Sequence, residues 1–385
     1  MVDMRRDADV VVVGLGAMGS MALWRLAERG VAAIGVDRFD PPHDRGSSHG
    51  ESRLFRTAYA EGTSYVPLLR EAWRLWRELE ASGDVELLTQ TGALMVGPRD
   101  GVLISGTLAS ARDHALEHEL LDHPAASLRW PQHVLGDGDH VLFEPMAGVL
   151  RPEACISTAL ARARSLGATT RTHTRATAIE SDDDSTCVRL EDGSAIRARH
   201  AIVAAGAWVG TLLPELAPYL RVERQTTAWF MVDDPRAFSP ERFPVFVREL
   251  ADGRLRYGVP AIDGQTIKIA VHHEGADADP DDLDRTVVER DVVPLEEYAT
   301  TMLRGVRVPA VRHIVCMYTN TPDEHLLVGP LPARPRVTMA GGCSGHSFKF
   351  APVLGDVAAD IATHGTTERD IAALTVDRLL PERVA

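Results

Sequence analysis

The feature that most constrains the fold is a glycine-spaced turn near the start of the chain. Residues 7–39 read as a β-branched run, a glycine turn, a helical stretch and a second apolar run that closes at Asp37. This order is typical of a βαβ unit. The turn has the spacing GxGxxG, carried by Gly14, Gly16 and Gly19. The first glycine permits a tight turn, the second lets a pyrophosphate approach the backbone, and the third lets helix and strand pack closely.

The same unit predicts a nucleotide site. The N-terminus of its helix offers free N–H groups and the positive end of the helix dipole to phosphate. Asp37 closes the second strand, where an acidic side chain accepts from a ribose hydroxyl. The alternative is a glycine turn in an α/β protein that binds no nucleotide, and Asp37 argues against it. We therefore expect a dinucleotide cofactor.

A second turn of the same kind lies some 320 residues further on, where residues 337–365 predict a strand, a glycine-rich turn and a helix. Nucleotide-type turns at opposite ends of the chain favour a discontinuous domain around a long cofactor, so FAD fits better than NAD. Between the turns the order is not a regular βαβ repeat. Helices are predicted at 65–82, 101–121, 152–166 and 282–304, and strands at 91–98 and within 168–205 and 221–273.

The predicted fold class is α/β, with two domains. A discontinuous Rossmann-like FAD-binding domain is expected to precede and follow a substrate domain of the α+β type that is built on a mixed sheet. The predicted bounds are 1–85, 146–218 and 318–385 for the FAD-binding domain, and 86–145 and 219–317 for the substrate domain.

Charge and cysteine usage exclude several classes of partner. The formal net charge is -14, and no basic run is present that would bind nucleic acid or an anionic membrane. The four cysteines lie far apart with no metal-ligand spacing, so we expect no metal site and a reducing, cytoplasmic location. The apolar stretch 10–26 contains three glycines and Arg25, which argues against a signal peptide or membrane anchor.

Lysine is rare in this chain. Of its 41 basic residues only Lys268 and Lys349 are lysines, which leaves 39 arginines. A lysine kept where arginine is the rule suggests a site that needs a compact ammonium on a flexible stem. Chance is the alternative interpretation.

Six segments resemble those of a known family, the monomeric sarcosine oxidase and N-methyltryptophan oxidase group of covalent-FAD amino-acid oxidases. The resemblance runs nearly end to end, in matching order and spacing. It rests on GLGAMGS at 14–20, DRFDPPH at 37–43, GSSHGESRLFR at 46–56, EGTSYVPL at 61–68, CMYTNTPDEH at 316–325 and GCSGHSFKFAP at 342–352.

The resemblance implies a set of cofactor-binding residues. FAD is expected to be attached through a thioether from Cys316 to the 8α-methyl group of the flavin, with Arg53 beside the flavin ring. The expected cofactor-binding residues are Gly14, Gly16, Gly19, Asp37, Ser47, Ser52, Arg53, Ala176, Cys316, Gly345 and Lys349.

It also implies a set of catalytic residues. Arg56 and Lys349 resemble the pair that binds the substrate carboxylate, and two cations suit that task because each makes charge-assisted hydrogen bonds. Lys268 resembles the lysine that faces flavin N5 through a water, where a preorganised cation would stabilise charge developing on oxygen. Both lysines thus match family lysines, which argues against chance. The expected catalytic residues are Lys268, Arg56, Lys349, Tyr318, Tyr257, His272 and His346.

The activity implied by the resemblance is oxidation of secondary amino acids such as sarcosine. Hydride would pass to flavin N5, water would hydrolyse the imine, and O2 would be reduced to hydrogen peroxide. The expected partners are a small amino acid and O2, with the protein a monomer. Two alternatives stay open: an oxidase of a cyclic imino acid of the pipecolate or piperideine-carboxylate type in a biosynthetic pathway, and an electron-transfer flavoprotein that does not use O2.

Three positions depart from the family pattern. Ser347 stands where a glycine is expected, Cys343 where an aromatic residue is common, and Ala176 where valine is typical. None of them removes a predicted catalytic role. They indicate a cavity of altered shape, so the particular amino acid stays open.

Overall fold

The computed structural model describes residues 6–380, which form two large sheets, one small sheet and surrounding helices. The helices are α1 (Ala17–Glu28), α2 (Val66–Glu80), α3 (Val102–Asp113), α4 (His123–Arg129), α5 (Pro152–Ser165), α6 (Val209–Leu212), α7 (Glu289–Met302) and α8 (Ala351–His364). The strands are β1 (Ala8–Val13), β2 (Ala33–Val36), β3 (Arg53–Phe55), β4 (Leu88–Gln90), β5 (Ala93–Pro98), β6 (Glu119–Asp122), β7 (Asp139–Glu144), β8 (Gly148–Leu150), β9 (Thr169–Arg171), β10 (Ala176–Ser181), β11 (Thr186–Leu190), β12 (Ala195–Val203), β13 (Arg221–Met231), β14 (Val245–Glu249), β15 (Leu255–Val259), β16 (Thr266–His272), β17 (Arg312–Asn320), β18 (Leu327–Leu331) and β19 (Arg334–Gly341).

The first large sheet is built on the predicted βαβ unit. β1 lies parallel between β2 and β12, and β19 pairs in parallel with the end of β12. The strand order is β10-β11-β12-β1-β2-β9, with β19 and then β18 joined at β12. Because β1, β12 and β19 are parallel, the glycine-rich turns after β1 and β19 open at the same edge of the sheet, where ligands bind in such folds.

The central strand of this sheet is buried on both faces. Val10 and Val12 belong to the apolar core that also contains α1, α5 and α8, whereas Val11 and Val13 belong to the core on the opposite face. Covered faces on both sides explain why β1 reads as a continuous valine run rather than an alternating one. α8 approaches α1 closely at Gly355, where a Cβ would lie 2.6 Å from a backbone nitrogen of α1.

The second large sheet positions most of the predicted catalytic side chains. Its order is β17-β13-β16-β15-β14-β5-β7-β6, and only the β14–β5 pair is parallel. Residues opposite each other in antiparallel strands share a face, and Thr227 of β13 pairs with Ala270 of β16 and Ile314 of β17. Counting in twos from these pairs places five side chains on one face of the sheet: Tyr257, Lys268, His272, Cys316 and Tyr318.

The predicted helices at 65–82 and 152–166 are confirmed within two residues at their ends. The prediction of helix over 101–121 is wrong in its last third. α3 ends at Asp113, Ala115 adopts a positive φ of 48°, and residues 119–122 form β6 against β7. Strand pairing there outweighs local helix propensity.

The prediction of helix over 282–304 is wrong at its start. α7 begins only at Glu289, and the preceding acidic residues bind backbone instead. Asp279 accepts from Asp281 N and Asp284 accepts from Thr286 N, each at 2.8 Å. Such local turns compete with the helix for the same N–H groups.

The strands bear on the predicted domain bounds. First-sheet strands lie within residues 8–36, 169–203 and 327–341, and second-sheet strands within 93–144 and 221–320. The boundary predicted at 317–318 falls inside β17, which pairs with β13 along its whole length from Arg312 to Asn320. The division into two domains stays a prediction.

Two features are lacking from the part of the chain that the structure describes. No helix there combines the length and the apolar composition needed to cross a bilayer. No group of three or more His, Cys, Asp or Glu side chains is arranged to hold a metal ion within residues 6–380.

Gly19→Ala is expected to destabilise the protein. A Cβ at Gly19 would lie 1.7 Å from Gly14 O, so α1 would have to move away from the turn. Overpacking of this kind costs about 1–3 kcal/mol, and the melting temperature measured by calorimetry should fall accordingly. Gly138→Ala is the matched control because a Cβ there meets nothing within 4 Å. Equal melting temperatures for the two variants would contradict the packing role of Gly19.

Candidate active site

The glycine turn after β1 has the geometry that its spacing predicts. Gly14 has φ +89°, and a Cβ there would lie 2.5 Å from Ala204 O. At Gly16 a Cβ would meet only Ser48 Oγ, at 3.8 Å, so this side of the turn is open. α1 begins at the next residue. The structure therefore leaves an open space against the backbone at a helix N-terminus, which suits a phosphate.

Asp37 supports this turn directly. Its carboxylate accepts from Leu15 N at 2.7 Å and from Phe39 N at 2.8 Å, and His43 Nε2 lies 3.5 Å from it. A carboxylate has about four acceptor positions, so these contacts leave capacity for a hydroxyl of a ligand. Asp37 therefore stabilises the backbone of the turn, a role that the sequence did not predict. Its predicted role is to bind a ribose hydroxyl.

Two adjoining cavities lie at this edge of the first sheet. The smaller, about 150 Å³, is lined by Gly14, Gly16, Asp37 and Ala176. The larger, about 800 Å³, is lined by the predicted catalytic residues and reaches the second sheet. Five residues line both cavities: Ala17, Ser47, Ser48, Thr319 and Cys343. Adjoining cavities, with the glycine turn lining the smaller one and the second sheet lining the larger one, suit a dinucleotide.

Arg53 holds the loop between β2 and β3. Its guanidinium donates to three backbone carbonyls, those of Ser47, His49 and Ser52, at 2.5, 2.7 and 2.7 Å. Ser47 lines both cavities, whereas Ser52 is buried behind them. Arg53 itself lines the larger cavity. The structure therefore places Arg53 where it both orders the loop and presents positive charge to a ligand.

Lys268 is buried beside this loop, with 3% of its surface exposed. Its ammonium donates to Gly50 O at 2.9 Å and lies 3.2 and 3.3 Å from Ser52 O and Oγ. It also lies 5.2 Å from the centre of the Trp229 ring. Burial, reinforced by the neighbouring Arg53, lowers the pKa of Lys268 to about 7. The ammonium is therefore held rigidly at the wall of the larger cavity.

Cys316 lies on the same face of the second sheet and lines the same cavity. Burial raises the pKa of its thiol, and the opposing cations are Arg53, Lys268 and Arg285. A thiolate is the nucleophilic form of cysteine. These three cations are the groups that favour the thiolate at this position.

Arg56, which is buried, and Glu61, which is partly exposed, form an ion pair that lines the larger cavity. Arg56 is 6% exposed, and its Nη2 donates to Glu61 Oε1 at 2.9 Å. Although burial opposes ionisation, Arg56 and the nearby His346 and Lys349 lower the pKa of Glu61 to about 2. Nε and Nη1 of Arg56 and Oε2 of Glu61 have no hydrogen-bond partner among the described residues. The guanidinium therefore keeps two buried donors for a further acceptor.

Lys349 lies in a short 3₁₀ turn, Phe348–Phe350, and lines the same cavity as Arg56. Its ammonium donates to His346 O at 2.6 Å and to Tyr59 OH at 3.3 Å, which leaves one of its three hydrogens. Lys349 Nζ and the Arg56 guanidinium lie 4.8 and 5.1 Å from the centre of the same Tyr59 ring. Burial and, to a smaller extent, the positive charge of Arg56 lower the pKa of Lys349 to about 7.

Sequence reasoning missed three members of this cluster: Tyr59, Glu61 and Glu144. Glu144 accepts from Thr57 N and Ala58 N at 2.7 and 2.9 Å, and so fixes the backbone that follows Arg56. Burial raises the pKa of Glu144 to about 7 despite these two bonds. Glu61 and Tyr59 fall close to Arg56 in the chain, but nothing in their spacing indicates an ion pair. Glu144 comes from the distant β7, so no local pattern could have found it.

The remaining predicted residues line the middle of the cavity. Tyr257 OH lies 3.4 Å from Tyr318 OH, which lies 3.5 Å from His272 Nδ1. His346 is fully engaged, since Nδ1 bonds Tyr59 OH at 2.5 Å and Nε2 bonds Glu324 O at 2.9 Å. Gly345 has φ +76°, and a Cβ there would lie 2.3 Å from the Tyr318 ring. The structure thus brings all seven predicted catalytic residues to one cavity.

Comparison with known proteins gives one consistent result. Residues 9–361 match the family model described as FAD dependent oxidoreductase. Monomeric sarcosine oxidase from Bacillus sp. (strain NS-129) is 37% identical over 375 residues, 96% of each chain. N-methyl-L-tryptophan oxidase from Salmonella enteritidis PT4 is 34% identical over 372 residues, 96% of this chain and 98% of the relative.

Solved structures show the same fold at lower identity. NikD, described as an unusual amino acid oxidase essential for nikkomycin biosynthesis, superposes with a TM-score of 0.84 at 24% identity, covering 96% of this chain and 98% of NikD. Glycine oxidase from Geobacillus kaustophilus gives a TM-score of 0.80 at 18% identity, covering 97% of this chain and 99% of the glycine oxidase.

Proposed function

This chain belongs to the FAD-dependent oxidoreductase family, and from that premise we propose that it is an oxidase of N-methyl amino acids such as sarcosine, with O2 as the electron acceptor. The observation that carries the proposal is the buried pair of cations Arg56 and Lys349, in the cavity that Lys268 and Cys316 also line. Nε and Nη1 of Arg56 have no hydrogen-bond partner among residues 6–380, and Lys349 keeps one of its three hydrogens. Both relatives reported above are more than a third identical to this chain, and they are named as a sarcosine oxidase and an N-methyl-L-tryptophan oxidase. By analogy with the first, we propose that the protein acts as a monomer.

The substrate carboxylate is proposed to bind between Arg56 and Lys349. Arg56 offers Nε and Nη1, and Lys349 offers its remaining hydrogen. Hydrogen bonds between charged partners contribute about 1.5–3 kcal/mol each. Glu61 balances the Arg56 charge in the free protein and must share that cation with the incoming carboxylate. The carboxylate therefore places the amine in the middle of the cavity, near Tyr257, His272 and Tyr318.

The cofactor residues fit FAD. Gly14, Gly16 and the N-terminus of α1 would hold the diphosphate, Asp37 the ribose, and the larger cavity the ring system. FAD, when bound, supplies the two-electron acceptor and passes the electrons to O2, which becomes hydrogen peroxide. The chain contributes orientation of the substrate through its carboxylate, and positive charge from Lys268 and Arg53 on the cavity wall.

A peroxide-release screen tests this function. We expect peroxide and formaldehyde from sarcosine or a larger N-methyl amino acid. Peroxide without formaldehyde from pipecolate or a related cyclic imino acid would support the alternative oxidase. Reduction of the enzyme by substrate with no peroxide in air would support the electron-transfer alternative. No reduction by any of these amino acids under anaerobic conditions would contradict the proposal.

Cys316→Ala is expected to convert covalent FAD into dissociable FAD. The thiol lies in the larger cavity beside Arg53 and Lys268, which favour its thiolate. Acid precipitation should leave a yellow pellet for the native protein and a yellow supernatant for the variant. Cys155→Ala is the control, since Cys155 is buried in the core beside α1. A colourless pellet from native protein that carries a full complement of flavin would contradict the linkage.

Carboxylate binding is expected to weaken as pH rises through 7. The pKa of Lys349 is lowered to about 7, so the ammonium is present below that pH and is lost above it. The dissociation constant for acetate, followed by flavin absorbance, should be constant below about pH 6 and rise up to tenfold per pH unit above 7. Lys349→Met should remove most of this dependence.

The pKa of Glu144 is raised to about 7, so this carboxyl group also ionises as pH rises through 7. Its negative charge, near Arg56, likewise weakens the binding of a carboxylate. Glu144→Gln therefore separates the two contributions. A native dissociation constant that stays flat from pH 6 to 9 would exclude Lys349 from the carboxylate site.

A further inference from the structure

A second histidine follows His272 and lines the same cavity. β16 ends at His272, and His273 adopts the left-handed region with φ +54°. Successive side chains of a regular strand point to opposite faces. The positive φ at His273 breaks this alternation, so that its ring lies 4.1 Å from the His272 ring and 5.4 Å from the Tyr318 ring. Strained backbone held by its surroundings at a cavity is a reason to look for a role.

The surroundings that hold His273 are centred on the buried carboxylate of Glu223, on β13. Glu223 is 2% exposed. Oε1 accepts from Gly275 N at 2.7 Å and from Gln225 Nε2 at 2.6 Å, and Oε2 accepts from Asn320 Nδ2 at 2.5 Å. A Cβ at Gly275 would lie 1.7 Å from Arg224 O, so glycine is required for this close approach. The loop after β16 is therefore tied to β13 at Glu223.

Glu223 and His273 together form a carboxylate–imidazole pair. His273 Nδ1 lies 3.5 Å from Glu223 Oε2. Although burial opposes ionisation, His273 and Gly275 lower the pKa of Glu223. A carboxylate next to Nδ1 holds the proton on that nitrogen and leaves Nε2 with a free lone pair. Nε2 of His273 is buried and has no hydrogen-bond partner within residues 6–380.

We propose that His273 is the group that accepts the proton from the substrate ammonium, with Glu223 as the positioning residue behind it. An amino acid binds at neutral pH as an ammonium, and its nitrogen must carry a lone pair before an adjacent C–H bond can be oxidised. The N–H bond breaks, its electron pair stays on the substrate nitrogen, and the proton moves to Nε2. The resulting imidazolium donates from Nδ1 to Glu223. This inference rests on the proposed oxidase function.

His272 is a poorer candidate for this role. Its Nδ1 lies 3.5 Å from Tyr318 OH, and no carboxylate contacts its ring among the described residues. His346 uses both of its nitrogens in hydrogen bonds. Of the three histidines in the middle of the cavity, His273 alone combines a carboxylate on one nitrogen with an unpartnered second nitrogen within the described range.

The first test is the pH dependence of anaerobic reduction by the substrate that the peroxide screen identifies. For His273→Gln we expect the rate at pH 7 to fall about a hundredfold or more, which is the usual contribution of a general base. The loss should shrink tenfold per pH unit towards pH 10, where the amine loses its proton unaided. Glu223→Gln should give the same change to a smaller extent. His313→Gln is the matched control, since His313 Nε2 is also buried without a partner in the described chain but lies outside the cavity.

Other groups facing His273 must be separated from it. They are Glu223 and, next to it, Arg221 on β13, Tyr318 and Asn320 on β17, His272 on β16, and the neighbouring Glu274. The pKa of Lys349, in the proposed site for the substrate carboxylate, is lowered to about 7. Its ionisation therefore changes the reduction rates of the native and variant proteins in the same way. The informative quantity is therefore the ratio of native to His273→Gln rates at each pH.

The second test reads the proton directly and needs no turnover. 2-Aminoisobutyrate has no hydrogen on the carbon attached to nitrogen, so it can bind but cannot be oxidised. In holoenzyme with ¹⁵N-labelled histidine, adding it should change the His273 signals from one protonated and one bare nitrogen to two protonated nitrogens. The signals are assigned by their loss in His273→Gln. Glu223→Gln should weaken the change.

The outcomes separate the two claims. A His273→Gln variant that loses rate equally at all pH values, or not at all, overturns the assignment of His273 and leaves the oxidase function standing. Unchanged ¹⁵N signals on saturation with 2-aminoisobutyrate overturn it as well. If no N-methyl or cyclic amino acid reduces the native enzyme at any pH, the proposed function itself fails. Should His273→Gln not fold, the Glu223→Gln pH profile and ¹⁵N spectrum decide.

Discussion

Replacing Lys268 by methionine is expected to slow the reaction of the reduced enzyme with O2 by about 10² to 10³, while anaerobic reduction by substrate slows much less. Methionine keeps the length of the stem and removes only the ammonium. The first electron that reaches O2 makes superoxide, so a fixed cation on the cavity wall stabilises charge as it develops. Removing one preorganised electrostatic group commonly costs a factor of this size. Stopped-flow absorbance of the flavin measures the two half-reactions separately.

The position of Lys268 explains why the effect should be selective. Its ammonium is fixed by Gly50 and Ser52, whereas Arg56, the proposed carboxylate ligand, is paired with Glu61. Because its pKa is lowered to about 7, reoxidation in the native enzyme should also slow as pH rises above 7. Lys349→Met is the matched control, since it removes the chain's other lysine and should leave reoxidation unchanged. If Lys268→Met slows both half-reactions equally, Lys268 positions the substrate or the cofactor instead.

The sequence predicted the fold well where local pattern and tertiary structure agree. The GxGxxG turn, the α/β class and the Rossmann-like sheet are confirmed, because the requirements at Gly14 and Gly19 are steric and local. The kinship with sarcosine and N-methyltryptophan oxidases is confirmed as well. The prediction that the helix continues to residue 121 is wrong, because residues 119–122 form a strand that pairs with β7. The local sequence pattern does not indicate a pairing partner some twenty residues away.

The sequence named side chains that the structure brings to one cavity, but it did not predict the hydrogen bonds among them. Lysine rarity and the family resemblance pointed to Lys268 and Lys349, yet neither could indicate that Lys268 donates to the Gly50–Ser52 loop. The role of Glu223 depends on a strand that lies beside β16 in space and some forty residues away in sequence. Such contacts depend on which residues of neighbouring strands lie opposite each other. A single sequence does not reveal that pairing for buried polar groups.

Arg56→Gln is expected to weaken carboxylate binding more than any other single change. Arg56 is buried and always charged, and two of its nitrogens have no partner within the described residues, whereas Lys349 is partly neutral at pH 7. Truncating one partner of a buried, hydrogen-bonded charge pair costs about 2–5 kcal/mol, or about thirtyfold to a few thousandfold in affinity. The dissociation constant of acetate, titrated by flavin absorbance at pH 6 where Lys349 is charged, measures the loss. The double variant Arg56→Gln with Lys349→Met should show a coupling between the two cations.

The variant that distinguishes this account from simple loss of structure is Glu61→Gln. Glu61 shares Arg56 with the ligand, so neutralising it removes a competing carboxylate and should tighten acetate binding, whereas a merely structural ion pair would give weaker binding. Arg56→Gln leaves the half-buried Glu61 carboxylate without its cation, so the loss of affinity includes a cost of stability that thermal melting reports. Combining Arg56→Gln with Glu61→Gln should restore stability without restoring affinity. If affinity returns together with stability, Arg56 supports the fold of the cavity and the substrate carboxylate binds elsewhere.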